Sequence, residues 1–332
     1  MKKHLVKNIG VTIAVTSMMA TLLVGCGSSA TTTQNSSNKN SNQQSGTSSK
    51  KLKIGFSVYG LKAEFANLLK NSMEKEAKAK GVDLLVMDGN YSANTAISQL
   101  QNLATEKVNA IIVDPIDANA LNNTVNQIVD QGIPVIGVNA KMTAQKLTSY
   151  VGSPDVKAGE MEAEQMAKAL NGKGNIVILD GPIGQSAQIE RKQGIFNVLK
   201  KYPEIHVLAE KTANWSRAEG LTLMENWLQA FSGKINGVIG ENDEMALGAE
   251  KALQEKNLKL PVVGVDGVKD ALTAVKDGKQ IASIYQNAIA QGKKSLDVAV
   301  EAAQGKKIDK NYDIPFELVT KDNVDKYLNG TN

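Results

Sequence analysis

From Lys53 to near the end of the chain, short runs rich in valine and isoleucine alternate with segments whose apolar residues recur at helical spacing. That alternation marks βαβ units and restricts the fold to largely parallel sheets with helices packed on their faces. KIGFSV (Lys53 to Val58) predicts the first strand; Phe65, Leu68, Leu69 and Met73 then follow a helical period, and Gly81 is placed to end that helix. DLLVMD (Asp83 to Asp88), NAIIVDP (Asn109 to Pro115) and PVIGVNA (Pro134 to Ala140) are the next strands. Near Val151-Gly152-Ser153-Pro154 a turn is expected and the pattern restarts, with GNIVILDG (Gly174 to Gly181), EIHVLAE, VIGEN and PVVGVDG. IASIYQ is a later strand before a helix, and YDIPFELV reads as one strand interrupted by Pro315. The two halves share a plan, and 332 residues leave room for about two domains of ordinary size. The fold class expected is therefore α/β, with two doubly wound parallel-sheet domains.

The start of the chain has a different character. MKKHLVK is positively charged, and Ile9 to Leu23 is apolar but short for a membrane span, as in a secretory signal. Leu23-Val24-Gly25-Cys26 then resembles a bacterial lipobox, whose cysteine is acylated and becomes the new N-terminus. Cys26 is the only cysteine, so the chain can form no internal disulfide and no cysteine metal cluster. Residues 27–50 are small and polar and are expected to form a tether. The reading is a signal peptide over 1–25, a tether over 26–50 and a folded part from Lys51, held at the outer face of the cell membrane.

Charge and residue types narrow the chemistry. Of a formal net charge of +4, Lys2, Lys3 and Lys7 of the leader contribute most, which leaves too little for a nucleic-acid-binding surface. Only two histidines are available as general bases: His4 in the leader and His206, which alternates within EIHVLAE like a structural strand residue. No phosphate-binding glycine loop follows the first strand, so no nucleotide cofactor is expected. Asp88, Asp114, Asp180 and Asp266 end strands and could form an acid/base or metal set, but strand-end aspartates more often cap helices or accept ligand hydroxyls. The chain is read as no enzyme, with no cofactor and no metal.

The stretch GVIGENDEMALGA (Gly237 to Ala249) places a strand, a polar turn and a helix in succession. In an open α/β sheet the carboxyl ends of the strands face a crevice, so Asn242 either reaches a ligand there or simply turns the chain. Asp243 is expected to cap the helix, and Met245, Leu247 and Gly248 to let it lie closely on the sheet.

NDEMALGA, together with VVGVDG (Val262 to Gly267), resembles the ribose-binding branch of the type I periplasmic solute-binding proteins, and the similarity runs from about Lys51 to the chain end. The resemblance implies three passes between domains, near Ser153, near Tyr285 to Asn287 and near Ile314-Pro315. The first domain would comprise 51–152 plus 287–313 and the second 153–286 plus 314–332. It also implies a ligand site. Asn242 and Asp266 match residues that touch the sugar, Arg191 the arginine that grips ligand oxygens, Trp215 a stacking aromatic, Gln286 the hinge glutamine and Phe65 one of two stacking phenylalanines. The first domain departs from the pattern: Ala63 and Ala66 stand where ribose binders carry an asparagine and the second phenylalanine, and Asn139-Ala140 where they carry Asp-Arg. Tyr59, Lys62, Glu64, Asn90 and Lys141 lie near enough in sequence to replace those contacts. Leader, tether and family likeness together imply a monomeric, lipid-anchored protein that closes on a sugar or sugar-like ligand and delivers it to the membrane subunits of an ABC importer. The competing readings are a module presenting the ligand to a membrane receptor, and a lac-repressor-type regulator core, which the leader and tether disfavour. Free ribose is not the expected ligand.

Overall fold

The computed structural model describes residues 51–329, so the leader, Cys26 and the polar tether lie outside the described residues. The chain runs β1 (Lys53–Val58), α1 (Glu64–Lys80), β2 (Asp83–Asp88), α2 (Ala93–Thr105), β3 (Ala110–Val113), α3 (Asn122–Asp130), β4 (Val135–Asn139) and β5 (Ser149–Gly152). It continues with α4 (Asp155–Ala169), β6 (Lys173–Asp180), α5 (Ser186–Leu199), β7 (Glu204–Thr212), α6 (Arg217–Ala230), β8 (Gly237–Gly240), α7 (Asp243–Glu255) and β9 (Val262–Asp266). Last come α8 (Lys269–Lys276), β10 (Ala282–Tyr285), α9 (Ala288–Ala303), β11 (Asn311–Asp313), β12 (Glu317–Val319) and α10 (Val324–Leu328).

Two six-stranded sheets result, in the orders β11-β5-β4-β3-β1-β2 and β12-β10-β9-β8-β6-β7. The same order recurs in both, and every pairing is parallel except β12 with β10. The central strands are buried along their length, as in a sheet covered on both faces: β3, β4, β8 and β9 show no exposed residue.

The sheets correct two expectations from sequence. The segment before Gly152-Ser153-Pro154 is strand β5, short and bounded by small residues, which pairs with β4 and β11. YDIPFELV is two strands, β11 in the first sheet and β12 in the second. Proline has no N–H to give a ladder, and at Pro315 the chain leaves one sheet for the other. Helix α9, which follows β10 of the second sheet, packs on α1, β3, β4 and β5 of the first.

Helix packing fixes one orientation that matters for the site. At the crossing of α4 and α5, a Cβ on Gly159 would overlap the Arg191 carbonyl, and one on Gly194 would overlap the Val156 carbonyl. The two glycines let the helix backbones touch, which brings Arg191 of α5 beside Asp155 at the start of α4. Gly248 works in the same way, but against the backbone of α6 at Arg217 and not against the sheet as its sequence position suggests.

Candidate functional site

Ten residues, most of them at strand ends, near helix starts or on a pass between the sheets, line one cavity together. Tyr59 and Phe65 come from the first lobe with Asn139; Gln185, Ala187, Arg191, Trp215, Asn242 and Asp266 come from the second; Gln286 lies on the pass between β10 and α9. The six residues matched to ligand contacts, and Asn139 in the place of the family's aspartate, are thus brought to one cavity, and Tyr59 joins them. The space between their walls is about 20 Å³, room for about one water.

A continuous polar chain crosses this cavity. Arg191 Nε is 2.9 Å from Asp155 Oδ1, its Nη1 donates to the Glu241 carbonyl, and its Nη2 donates to Gln286 Oε1 at 2.9 Å. Gln286 Nε2 donates to Asn139 Oδ1 at 2.9 Å, and Asn139 Nδ2 lies 3.3 Å from both oxygens of Asp114. The Arg191 guanidinium also lies over the Trp215 ring, 5.6 Å from its centroid. Burial works against the charge of Arg191, yet Asp155, Asp266 and Glu162 hold its pKa above the ordinary value, so it is a permanent cation. Three of its five N–H groups serve the protein, which leaves others for a ligand.

Asp266 is the counterpart of that cation. Its carboxylate lines the cavity and, among the described residues, accepts no hydrogen bond from the protein. Burial pushes its pKa well up; Arg191 opposes this and Asp243 adds to it. Its backbone sits at φ 131° and that of Asn139 at φ 61°, conformations that cost a residue with a side chain and recur at binding sites.

The turn before α7 differs from expectation in one respect. Asn242, not Asp243, is the cap: its Oδ1 accepts from Met245 N at 2.9 Å, which leaves its amide N–H groups toward the cavity. Asp243 is the first helical residue and accepts from Gly267 N, Val268 N and the Ser283 hydroxyl, tying the end of β9 in place. Asn242 therefore turns the chain with one end of its side chain and lines the cavity with the other.

Four of the proposed replacement contacts do not face the cavity. Lys62 is exposed and lines an outer groove of about 630 Å³ with Ala63, Tyr91, Trp215 and Arg217. Asn90 is exposed in a turn. Glu64 and Lys141 instead join the lobes: Glu64 Oε1 accepts from Lys269 N at 3.4 Å, and Lys141 Nζ pairs with Glu190 at 2.7 Å. Nor do the two alanines enlarge the cavity, since Ala66 is in the core and Ala63 opens onto the groove. His206 is exposed on edge strand β7, so it is not a buried structural residue.

Of the strand-end aspartates, Asp88 accepts from Leu61 N and Asn90 N, and Asp180 pairs with Lys192. Asp114 supports Asn139 from beneath, and burial pushes its pKa well up. Among the described residues no group of three histidine, cysteine or carboxylate side chains could hold a metal ion. Sequence reasoning missed Gln185 and Ala187. Gln185 stands between a strand end and a helix start, the same signal that drew attention to Asn242.

A cavity with three aromatic side chains, one fixed cation, one unengaged carboxylate and several amides is suited to a neutral molecule that presents hydroxyls and C–H faces. The periplasmic binding protein domain family matches residues 54–307. The chain is similar to the xylitol-binding protein of Mycolicibacterium smegmatis, 42% identical over 276 residues that cover 82% of this chain and 78% of that protein. It is similar to the ribose import binding protein of Bacillus subtilis, 34% identical over 82% of this chain and 88% of that one. Among solved structures it is similar to an ABC transporter solute binding protein from Bacillus halodurans C-125 with bound myo-inositol, with a TM-score of 0.81, 36% identity and coverage of 85% of this chain and 98% of that one.

Proposed function

We propose, from the premise that the chain belongs to the periplasmic binding protein family, that it captures a neutral polyol or a sugar close to one and delivers it to an ABC importer. The observation that carries this reading is the unengaged Asp266 carboxylate facing a cavity that also holds Arg191 and Trp215. A ligand hydroxyl can donate to Asp266 while a neighbouring hydroxyl accepts from Arg191, and a C–H face can rest on Trp215 or Phe65. Residues 51–152 with 287–313 form one closing lobe and 153–286 with the segment from 314 onward the other. Hydrogen bonds from both lobes to one ligand favour the closed form.

Ribose is the weaker candidate. Asn139 offers a neutral amide, already shared between Gln286 and Asp114, where ribose binders present an Asp-Arg pair. Charge-assisted bonds are about twice as strong as neutral ones, so that wall grips a pentose less well. The relatives named for xylitol or solved with myo-inositol support a polyol. A thermal-shift panel of xylitol, myo-inositol, D-allose and ribose tests this, because a ligand at a hundred times its dissociation constant adds about 2.7 kcal/mol of stability. Xylitol or myo-inositol should give the largest shift; ribose giving it would overturn the reading.

The protein acts outside the cell membrane, held by acylated Cys26. Cys26→Ala should move it from the membrane fraction to the soluble one with binding intact, and an unchanged distribution would count against the anchor.

A further inference from the structure

The turn between β6 and α5 makes three hydrogen bonds to the first lobe. Ala118 N donates to the Gly184 carbonyl at 3.1 Å, Gln185 Nε2 donates to the Pro115 carbonyl at 3.1 Å, and Lys141 N donates to Ser186 Oγ at 2.6 Å. Main chain supplies at least one partner in each, so the turn docks as a rigid unit. Gln185 is the member of this set that also reaches the cavity, where its Oε1 accepts the indole N–H of Trp215.

The amide of Gln185 is 2% exposed and both its ends are spent, one on an indole donor in its own lobe and one on a carbonyl acceptor in the other. An amide in one orientation does both, whereas an ionised carboxylate has no donor and an apolar side chain has neither. The indole N–H sets that orientation. A ligand resting on the face of Trp215 restricts the ring, the ring holds the Gln185 oxygen, and the Gln185 nitrogen is thereby aimed at Pro115. When the lobes part, water can satisfy both freed groups, so the latch opens and closes without leaving a buried group unpaired.

We propose that Gln185 is a closure latch: a positioning residue that couples occupancy of the Trp215 face to docking of the second lobe on the Pro115 carbonyl. This rests on the cleft being the ligand site, and it adds a role that none of the ligand-contact assignments includes. Its effect belongs in the release rate, since the Pro115 bond forms only after the lobes meet.

Gln185→Glu keeps the length and the acceptor for Trp215 but, when ionised, cannot donate to Pro115, while Gln185→Met keeps the length with neither donor nor charge in any protonation state. Trp215→Phe keeps an aromatic face and removes the N–H. Stopped-flow release of myo-inositol or xylitol should quicken about tenfold in both Gln185 variants, with association little changed. In the Trp215→Phe background the same Gln185 changes should add much less. Parent-like release, or an equal cost in both backgrounds, would make Gln185 ordinary interlobe packing and overturn the proposal. If neither polyol binds the parent protein, the ligand reading fails and the latch is judged by small-angle scattering of the unliganded proteins. The Gln185→Met form should then be more open than the parent, and identical radii would overturn the latch.

Discussion

After β2 the chain turns through Asn90 and Tyr91 into Ser92, and after β7 it turns through Asn214 and Trp215 into Ser216. All four residues before the serines are left-handed, at φ 48°, 57°, 52° and 58°. Each serine caps the next helix, Ser92 Oγ accepting from Thr95 N and Ser216 Oγ from Glu219 N. Each aromatic ring occupies the space where a neighbouring glycine, Gly60 or Gly181, would carry its Cβ. The local devices are the same, yet the outcomes differ. Trp215 reaches the cavity and bonds Gln185, whereas Tyr91 packs edge-on against Tyr59, 5.6 Å between centroids, and faces the outer groove. A turn fixes where an aromatic side chain begins; the neighbours it meets decide what it does.

The same contrast holds for charge. The second lobe buries Asp155, Glu162, Asp180, Glu241, Asp243, Glu250 and Asp266, of which Asp155, Asp266 and Glu162 act on Arg191, while among the described residues Asp114 is the buried acid of the first. Arg191 therefore supports structure and, on the proposed reading, ligand as well, so its loss should be the largest single effect. Arg191→Ala leaves Asp155 buried without its cation, which costs about 3–5 kcal/mol of stability in addition to binding. Asn139→Ala in the opposite wall removes neutral hydrogen bonds at about 0.5–1.5 kcal/mol each. Urea unfolding of the two variants gives the comparison, and equal losses would mean that the walls are not asymmetric.

The paired turns supply the next test. Trp215→Ala and Tyr91→Ala both delete a packed ring, but only the first should weaken ligand binding, by about tenfold or more; calorimetry with the best polyol of the panel decides. Equal losses of affinity would bring Tyr91 into the site.

The smallest effect expected is in pH dependence. Burial pushes Glu162, Glu241 and Asp266 well above the usual carboxylate range, and pushes Asp243 up to about 7 against the bonds from Ser283, Val268 and Gly267. With the folded pKa above the unfolded one, the native state binds more protons between the two. Stability is then greatest below about pH 4 for these groups and declines as pH rises toward their folded values, for Asp243 through about 7. Glu162 has no hydrogen-bond partner on either oxygen, so Glu162→Gln should flatten the decline of melting temperature between pH 5 and pH 8. An unchanged slope would show that Glu162 does not carry this dependence.

Strand and helix identity was legible because a buried parallel strand must be apolar along its length and its covering helices must repeat at their own period, as in AIIV of β3 and the Leu69 and Met73 face of α1. The residues matched through the family resemblance line one cavity, and of these Asn139 and Asp266 end strands, where an open α/β sheet faces its crevice. Sequence could not separate β11 from β12, because which sheet a short strand joins depends on partners far away in the chain, Tyr150 to Gly152 for one and Ser283 to Tyr285 for the other. Nor could it tell ligand contacts from lobe contacts among residues near the cleft. Lys141 and Glu64 carry the charges that suggested a role in binding, yet their partners sit on the other lobe at Glu190 and Lys269. Gln185, with no charge to attract attention, acquires its place because folding brings an indole N–H and a carbonyl oxygen to opposite ends of one buried amide. Periodicity reports burial, which each residue carries in its own chemistry; pairing depends on where a partner ends up, and that only the packed chain decides.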